Sequence, residues 1–521
     1  RDVLGSRGLG DVYKRQSKRI AKNTLLLYIR TFMIMAITLY TSRVVLNVLG
    51  VENYGIYNVV GGVVAMFSVI SGSLSSAISR FITFELGCGN IERLKSVFST
   101  SINIQIAISL VVFIVGESVG TWFLNYEMNI PSDRLVAANW VLHCSLLTFV
   151  VNLISIPYNA CIIAHEHMKA FAYVSILEAV LKLAVVYALL SSPFDKLSTY
   201  AVLLVIVAVV IRITYGIYCK RHFYECNYRY VYDKLIIREM TSFAGWSFFG
   251  NCAYIFNTQG VNILINLFFG VTVNAARGIA TQLNAAVMQF VNNFTIAINP
   301  QITKSYASGD RKYMFMLVCR GAKYSYFLLF VFVVPFVLET EAILTMWLKV
   351  VPEYTPVFMR LAMFGSLATL LGNSMMTAAS ATGKIKKYQL WVTMVGCLVF
   401  PLTWMAFKLG YPAVITYVIY IAIYMLLIFV RLHILKGLLD FPVMPFIRQV
   451  ICRLVFTSIV AFIIPCGIIY SMNSSILRLC IVFAVSFLST CGSISLLGLE
   501  QDERAYFISK FKNIMLKFNK V

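Results

Sequence analysis

The chain has 521 residues, of which 60% are hydrophobic and only 13% charged, and a formal net charge of +22. A soluble globular domain carries about 25% charged residues, so a soluble fold is excluded, and with it the reading of a strongly basic chain as a nucleic-acid binder. The twelve cysteines include no C-x-x-C pair and mostly fall inside apolar runs, so they read as small packing residues rather than a disulfide or zinc framework.

Residues 1–16 stand apart from the rest of the chain. The stretch Asp11-Val12-Tyr13-Lys14-Arg15-Gln16 looks like a translated sequencing-library adapter, so the native sequence is expected to start near Ser17. Nothing in the leader has the apolar core and cleavage site of a signal peptide. Apolar runs then fall near 22–47, 55–79, 100–124, 136–163, 171–190, 199–218, 241–267, 273–299, 324–346, 357–381, 388–408, 412–431, 450–471 and 477–498, fourteen in all. At about 1.5 Å of rise per residue, nearly all can cross a ~30 Å hydrocarbon layer. Helices are the expected element, because lipid offers the backbone no hydrogen-bond partners and the alternation of barrel strands is absent.

The loops orient these spans. The even-numbered loops carry twenty basic residues, from Arg80 and Arg93 through Lys304, Arg320, Lys323 and Arg431 to Arg448. The odd-numbered loops carry five: Arg134, Lys196, Lys349, Lys408 and Arg478. The positive-inside rule then places the even loops and both termini in the cytoplasm.

A long internal repeat organises the spans. Gly50-Val51 recurs as Gly270-Val271, Ala77-Ile78 as Ala297-Ile298 and Gly89 as Gly309, all at an offset of 220 residues. Further on, Ala164 matches Ala381, Lys169 matches Lys386 and Thr199-Tyr200 matches Thr416-Tyr417, at an offset of 217. Such an offset covers six spans and returns the chain to the same side, so the halves are parallel rather than inverted. The expected fold class is an all-α polytopic membrane protein with about 14 transmembrane helices, as two parallel six-helix repeats plus a C-terminal pair. The expected divisions are a six-helix bundle over 17–218, a cytoplasmic linker over 219–240, a second bundle over 241–437, the extra pair over 438–498 and a basic tail over 499–521.

Neither a catalytic constellation nor a cofactor motif is present, and no residue is assigned a catalytic or metal role. Gly383-Lys384 lacks the Gly spacing of a phosphate loop, and His165-Glu166-His167 lacks the H-E-x-x-H spacing that would set two imidazoles on one helical face. The latter reads as a plain solvated cytoplasmic turn. Charges inside spans say more, since an ionisable group at bilayer depth costs several kcal/mol unless it faces protein or water. Arg30, Arg43 and Arg277 lie at different depths, and a guanidinium fork suits phosphate. Glu117, with no partner at helical spacing, is the coupling candidate. Glu178 and Lys182 suit an intrahelical pair. Glu339 and Glu341 read as rim residues, and Arg212 and Arg360 as snorkelling ones.

The densest polar signal is amide. On the seventh span Asn251, Thr258 and Asn262 share a stripe; on the eighth, Arg277, Thr281, Asn284 and Thr295 share one, and Gln282, Gln289 and Asn293 another. Both stripes of the eighth span cannot face one cavity, so one is expected to line it while the other bonds neighbouring helices. Amides with a few arginines suit a sugar attached to a phosphate.

Leu49-Gly50-Val51-Glu52-Asn53-Tyr54-Gly55-Ile56-Tyr57 resembles the turn between the first two helices of the polysaccharide transporter family, the O-antigen and oligosaccharide flippases of the multidrug/oligosaccharidyl-lipid/polysaccharide (MOP) superfamily. Ser79-Arg80-Phe81, Glu85-Leu86-Gly87 and Gly89-Asn90 are similar to its signature after the second helix. The resemblance implies two six-helix bundles around a central cationic cavity. It implies a flippase, not an enzyme, that carries undecaprenyl-pyrophosphate-linked oligosaccharide across the bacterial inner membrane by alternating access. Arg30 and Arg277 match helices that supply cavity arginines in related flippases. Their repeat equivalents here are Gly250 and Tyr57, so the cavity charge is not two-fold symmetric. The implied partners are the lipid-linked substrate, membrane lipids and polysaccharide polymerase machinery; coupling to protons or sodium stays open. A cation-coupled multidrug exporter of the same superfamily is the first alternative, though it expects an acid in the first span, and none lies between Lys22 and Gly50. A membrane glycan polymerase or ligase, the second, would need a large periplasmic loop.

Overall fold

In lipid a backbone must satisfy its own hydrogen bonds, and the described residues accordingly form helices and no strand. The computed structural model describes residues 23–505 except 39, 42, 43, 46, 51, 52, 54, 55, 58, 59, 62, 63, 65, 66, 127–129, 348–350 and 502, and of residues 256, 271, 272, 274 and 275 the backbone alone. The leader 1–16, Arg43 and the tail beyond 505 lie outside the described residues.

The helices, in chain order, are α1 (Asn23–Thr38), then α2 (Ser68–Cys88), α3 (Ile91–Tyr126), α4 (Leu135–Ala164), α5 (Met168–Leu190), α6 (Lys196–His222) and α7 (Lys234–Ala307). After these come α8 (Arg311–Leu338), α9 (Thr340–Trp347), α10 (Thr355–Leu370), α11 (Asn373–Ala381), α12 (Lys386–Cys397), α13 (Val399–Lys408), α14 (Ile415–Leu439), α15 (Val443–Phe446), α16 (Arg453–Ser471) and α17 (Ile476–Ser493). Among the described residues, eleven helical stretches are long and apolar enough to cross a membrane. They fall on all the expected spans but the first, second and eighth. The first two run through positions outside the described residues. The eighth continues α7 past Gly270, whose φ of 81° and ψ of −177° break the helix into two arms.

The chain divides into two compact units, residues 1–252 with 296–310, and residues 253–295 with 311–521. In the first, α4 packs against α2, α3 and α6. Gly116 and Gly120, one turn apart on α3, meet Leu146 and Leu142 of α4; a Cβ on Gly116 would lie 2.4 Å from Leu146 Cδ2. Small residues at this spacing let membrane helices approach where lipid gives no hydrophobic drive. Asp195 and Asp233 cap α6 and α7 by accepting from backbone N–H groups in their first turns. In the second unit α10 packs on α8 and α14, and α16 and α17 pack on each other and on α8, around Phe330, Phe358, Met359 and Met363.

The duplication is visible in the backbone. Gly50 and Gly270, repeat equivalents, have φ of 79° and 81°; Gly89 and Gly309 have 73° and 82°. The left-handed region costs an ordinary residue about 1–2 kcal/mol, which is why glycine recurs there. The signature after the second span is a structural turn. Gly89 closes α2, Asn90 accepts from the Arg93 N–H to start α3, and Arg93 reaches back to buried Glu85 at 3.1 Å. Arg80 lies over the rings of Phe81 and Phe84.

Several charges sit differently from the sequence-based expectation. Glu339 is not a rim residue: it is 2% exposed and accepts two hydrogen bonds from Arg478, at 2.8 and 3.0 Å. Arg360 does not simply reach for the interface; it donates to the Val337 carbonyl and to Thr340. Arg212 stacks on Tyr158, 3.9 Å from the ring centroid. Four basic residues assigned to loops are held by protein. Lys304 pairs with Glu166, Arg320 and Lys323 pair with Glu503, and Arg431 is buried where Gly372 leaves room, since a Cβ there would lie 1.1 Å from its Nη1. Burial pushes the Glu503 carboxyl up, but the Lys323 ammonium and its hydrogen bond outweigh this and hold it below the ordinary carboxylate range. The loop asymmetry is therefore partly a record of packing.

Candidate substrate and coupling residues

Arg277 lies in the second arm of α7, within the second unit. Its Cζ is 5.7 Å from the ring centroid of Tyr417 on α14, with Tyr420 and Tyr254 in the same neighbourhood. Its Nη1 is buried and has no hydrogen-bond partner among the described residues. Most buried donors are paired, so an arginine set among tyrosines with a donor unspent is suited to an anionic ligand. The tyrosines were not anticipated. Tyr417 and Tyr420 are three apart on one helical face, but that spacing in an apolar helix reads as core.

Arg30, on α1 in the first unit, stacks over Phe171 of α5 at 4.5 Å, near Glu178 and Tyr215. Its Nε is buried without a partner among the described residues. Glu178 itself takes Lys182 at 2.6 Å, the expected intrahelical pair.

The amides separate into bonded and exposed groups. Asn251 donates to Ser73 at 2.9 Å, and Asn257 to the Gly396 carbonyl at 3.2 Å. Asn284 and Ser366 lie 2.8 Å apart between α7 and α10. Asn262 donates to Gln259 on its own helix. Asn293 is fully buried, while Gln282 and Gln289 are exposed. Asn284 thus bonds a neighbouring helix from the stripe that holds Arg277, and the two glutamines of the other stripe remain available.

Glu117 has a partner after all. Its Oε2 lies 2.7 Å from Nδ1 of His143 on α4, Glu117 half-buried and His143 more open. Helical spacing could not find it, because the pair bridges α3 and α4. A carboxylate and an imidazole in contact inside a span can hold and pass a proton.

The turn at 165–167 is not a plain solvated one. Glu166, 5% exposed and at φ 60°, pairs with Lys304 at 2.9 Å. His165 Nε2 lies 2.5 Å from Glu225 Oε1, and His167 Nδ1 lies 3.0 Å from the Tyr218 hydroxyl. Burial raises the Glu225 carboxyl, but the His165 hydrogen bond, a backbone N–H and the imidazole charge together bring it below its ordinary value.

Known structures share this architecture. A MATE transporter crystallised as a proline-to-alanine mutant superposes with a TM-score of 0.69 at 13% identity, over 80% of this chain and 94% of that one. An outward-facing multidrug resistance MATE family transporter of the MOP superfamily gives 0.67 at 13%, over 81% and 97%. A MOP superfamily transporter from Pyrococcus furiosus gives 0.66 at 14%, over 83% and 96%. At such identities the likeness is one of fold. No curated protein matches the chain in sequence. Residues 20–306, more than half of the chain, match the model of the family described as "Polysaccharide biosynthesis protein". The chain therefore belongs to the polysaccharide biosynthesis protein family, and it carries the fold of the MOP-superfamily transporters.

Proposed function

We propose that this protein is a flippase that moves an undecaprenyl-pyrophosphate-linked oligosaccharide, an O-antigen, capsule or exopolysaccharide repeat unit, across the bacterial inner membrane by alternating access, with both termini cytoplasmic. The observation that carries the reading is Arg277, a half-buried guanidinium among tyrosines whose Nη1 has no partner among the described residues. In this reading the pyrophosphate meets Arg277 and Arg30 in turn, and Gln282 and Gln289 offer donors and acceptors to the sugars. The Glu117–His143 pair is the proton-coupling element, and no bond in the substrate is broken. Membrane lipids and the polymerase that consumes the flipped unit are the partners.

The test is export in cells whose own flippase is deleted. A hydrogen bond to a charged group is worth about 1.5–3 kcal/mol, so Arg277→Ala should cut surface polysaccharide at least about tenfold at unchanged membrane abundance, and Arg277→Lys should cut it less. Normal export by Arg277→Ala would overturn the anionic-substrate role. Resistance to cationic drugs that survives Arg277→Ala would favour the exporter reading instead.

A further inference from the structure

Three cysteines that are far apart in sequence converge beside the 165–167 turn, within the first unit. Cys161 lies in the last turn of α4, Cys219 in the last turns of α6, and Cys226 in the short loop after α6. Their exposures are 0%, 0% and 4%. The sulfurs of Cys161 and Cys226 and a carboxylate oxygen of Glu225 all lie within 4.8 Å of one another. The Cys219 thiol hydrogen-bonds with that of Cys226 and, at 3.5 Å, with the Tyr158 carbonyl.

We propose that Cys161, Cys219, Cys226 and Glu225 form a thiolate-rich site for a structural divalent metal ion, zinc by ligand chemistry, that ties α4, α6 and the loop after α6 together. Four points support it. A tetrahedral zinc site with Zn–S bonds of about 2.3 Å places its sulfurs about 3.8 Å apart; the Cys161 and Cys226 sulfurs and a Glu225 oxygen lie within 4.8 Å of one another, and the Cys219 thiol joins them through its contact with Cys226. Soft thiolates with one harder ligand select zinc among the common divalent ions. Glu225 is a carboxylate only 4% exposed, and a buried charge is kept where a cation or a full set of hydrogen bonds meets it. Finally, His165 holds one oxygen of Glu225 at 2.5 Å, the kind of outer contact that fixes a ligating carboxylate. Positive charge to balance the thiolates is at hand in Arg212, which acts electrostatically on Cys219. The hydrogen bond with Cys161, together with burial, pushes the Cys226 thiol up; a coordinated cation reverses that by deprotonating the thiol outright.

The packing reading, in which three small thiols fill a gap, makes a different prediction for the full-length chain in detergent. Titration with Co²⁺ under reducing conditions should give close to one ion per chain, with thiolate-to-metal charge-transfer bands and the visible bands of a tetrahedral site. Cys226→Ser should weaken binding by at least about tenfold, since even an outer-shell change can cost that much. Cys88→Ser, an exposed cysteine remote in sequence, should leave binding unchanged. Absence of thiolate bands, or equal binding by Cys226→Ser, would overturn the site. Because a serine at a buried thiol position can also impair folding, a second measurement uses the unmutated chain. Added Zn²⁺ should protect Cys161, Cys219 and Cys226 from alkylation in mild denaturant, as read by mass spectrometry. Equal labelling with and without Zn²⁺, or a Cys219–Cys226 disulfide in the purified chain, would sink the proposal. Neither outcome bears on the flippase reading, which does not use these residues.

Discussion

The turn between α4 and α5 and the turn between α11 and α12 are the same turn in two copies. The N–H of Glu166 donates to the Ile163 carbonyl at 2.9 Å, and the N–H of Gly383, 217 residues later, donates to the equivalent Ser380 carbonyl at 3.0 Å. Both residues are left-handed, at φ of 60° and 77°. One copy fills the position with glycine, which bears that backbone freely. The other fills it with a buried glutamate that bears the strain and pairs with Lys304. A left-handed residue other than glycine persists where its surroundings over-determine it. The first copy has thus accepted a tolerable strain to make this turn an anchor, while the second has kept a plain turn.

The largest expected effect breaks that anchor. Lys304→Met removes the cation 2.9 Å from a carboxylate whose side chain is 1% exposed. Removing one partner of a buried pair costs about 3–5 kcal/mol, so the variant should melt clearly below the native chain in detergent. Adding Glu166→Gly converts the turn to the second copy's chemistry and removes the stranded charge. The double variant should recover most of the loss, and a double-mutant cycle reads the coupling directly. Equal melting of Lys304→Met and the native chain would show that the anchor carries no weight. A smaller effect sharpens the comparison from the other side. Gly383→Ala forces a Cβ into the left-handed region and should cost about 1–2 kcal/mol. Gly383→Asn should cost less, because asparagine visits that region more readily.

Much of this architecture was legible in the sequence, and what was not has a common cause. The helical spans, the offset of the copies and the special glycines come from patterns along the chain: apolar run length, identical residues at one spacing, and the turn chemistry of Gly50, Gly89, Gly270 and Gly309. What failed was pairing across helices. Glu117 seemed solitary because His143 sits on another helix. Glu339 seemed a rim residue because Arg478 is 139 positions away. The meeting of Cys161, Cys219 and Cys226 was invisible because their spacing fits no motif, although two helix ends and a loop bring them together. Helical periodicity reports which side chains share a face, and it is silent on what that face meets. The arginine expectations were readable as charges in apolar spans, but the tyrosines around Arg277 were not, since they are indistinguishable from core until α14 is placed beside α7.

The smallest expected effect is a pH dependence confined to one copy. Position 225 corresponds to 442 in the repeat, and there the second copy has Pro442 where the first has Glu225. The folded chain holds the Glu225 carboxyl below its ordinary value, while in the unfolded chain it titrates near about 4.3. A group depressed on folding stabilises above its unfolded pKa, and that stabilisation is lost as the pH falls through the folded value. Measured with a chelator present, so that metal release plays no part, the native melting temperature should fall on acidification below about pH 4. Glu225→Gln should start lower at neutral pH and lose less over the same interval. If both chains lose the same amount, the acid sensitivity belongs to other carboxylates, and Glu225 adds nothing to the asymmetry that Glu166 makes between the two turns.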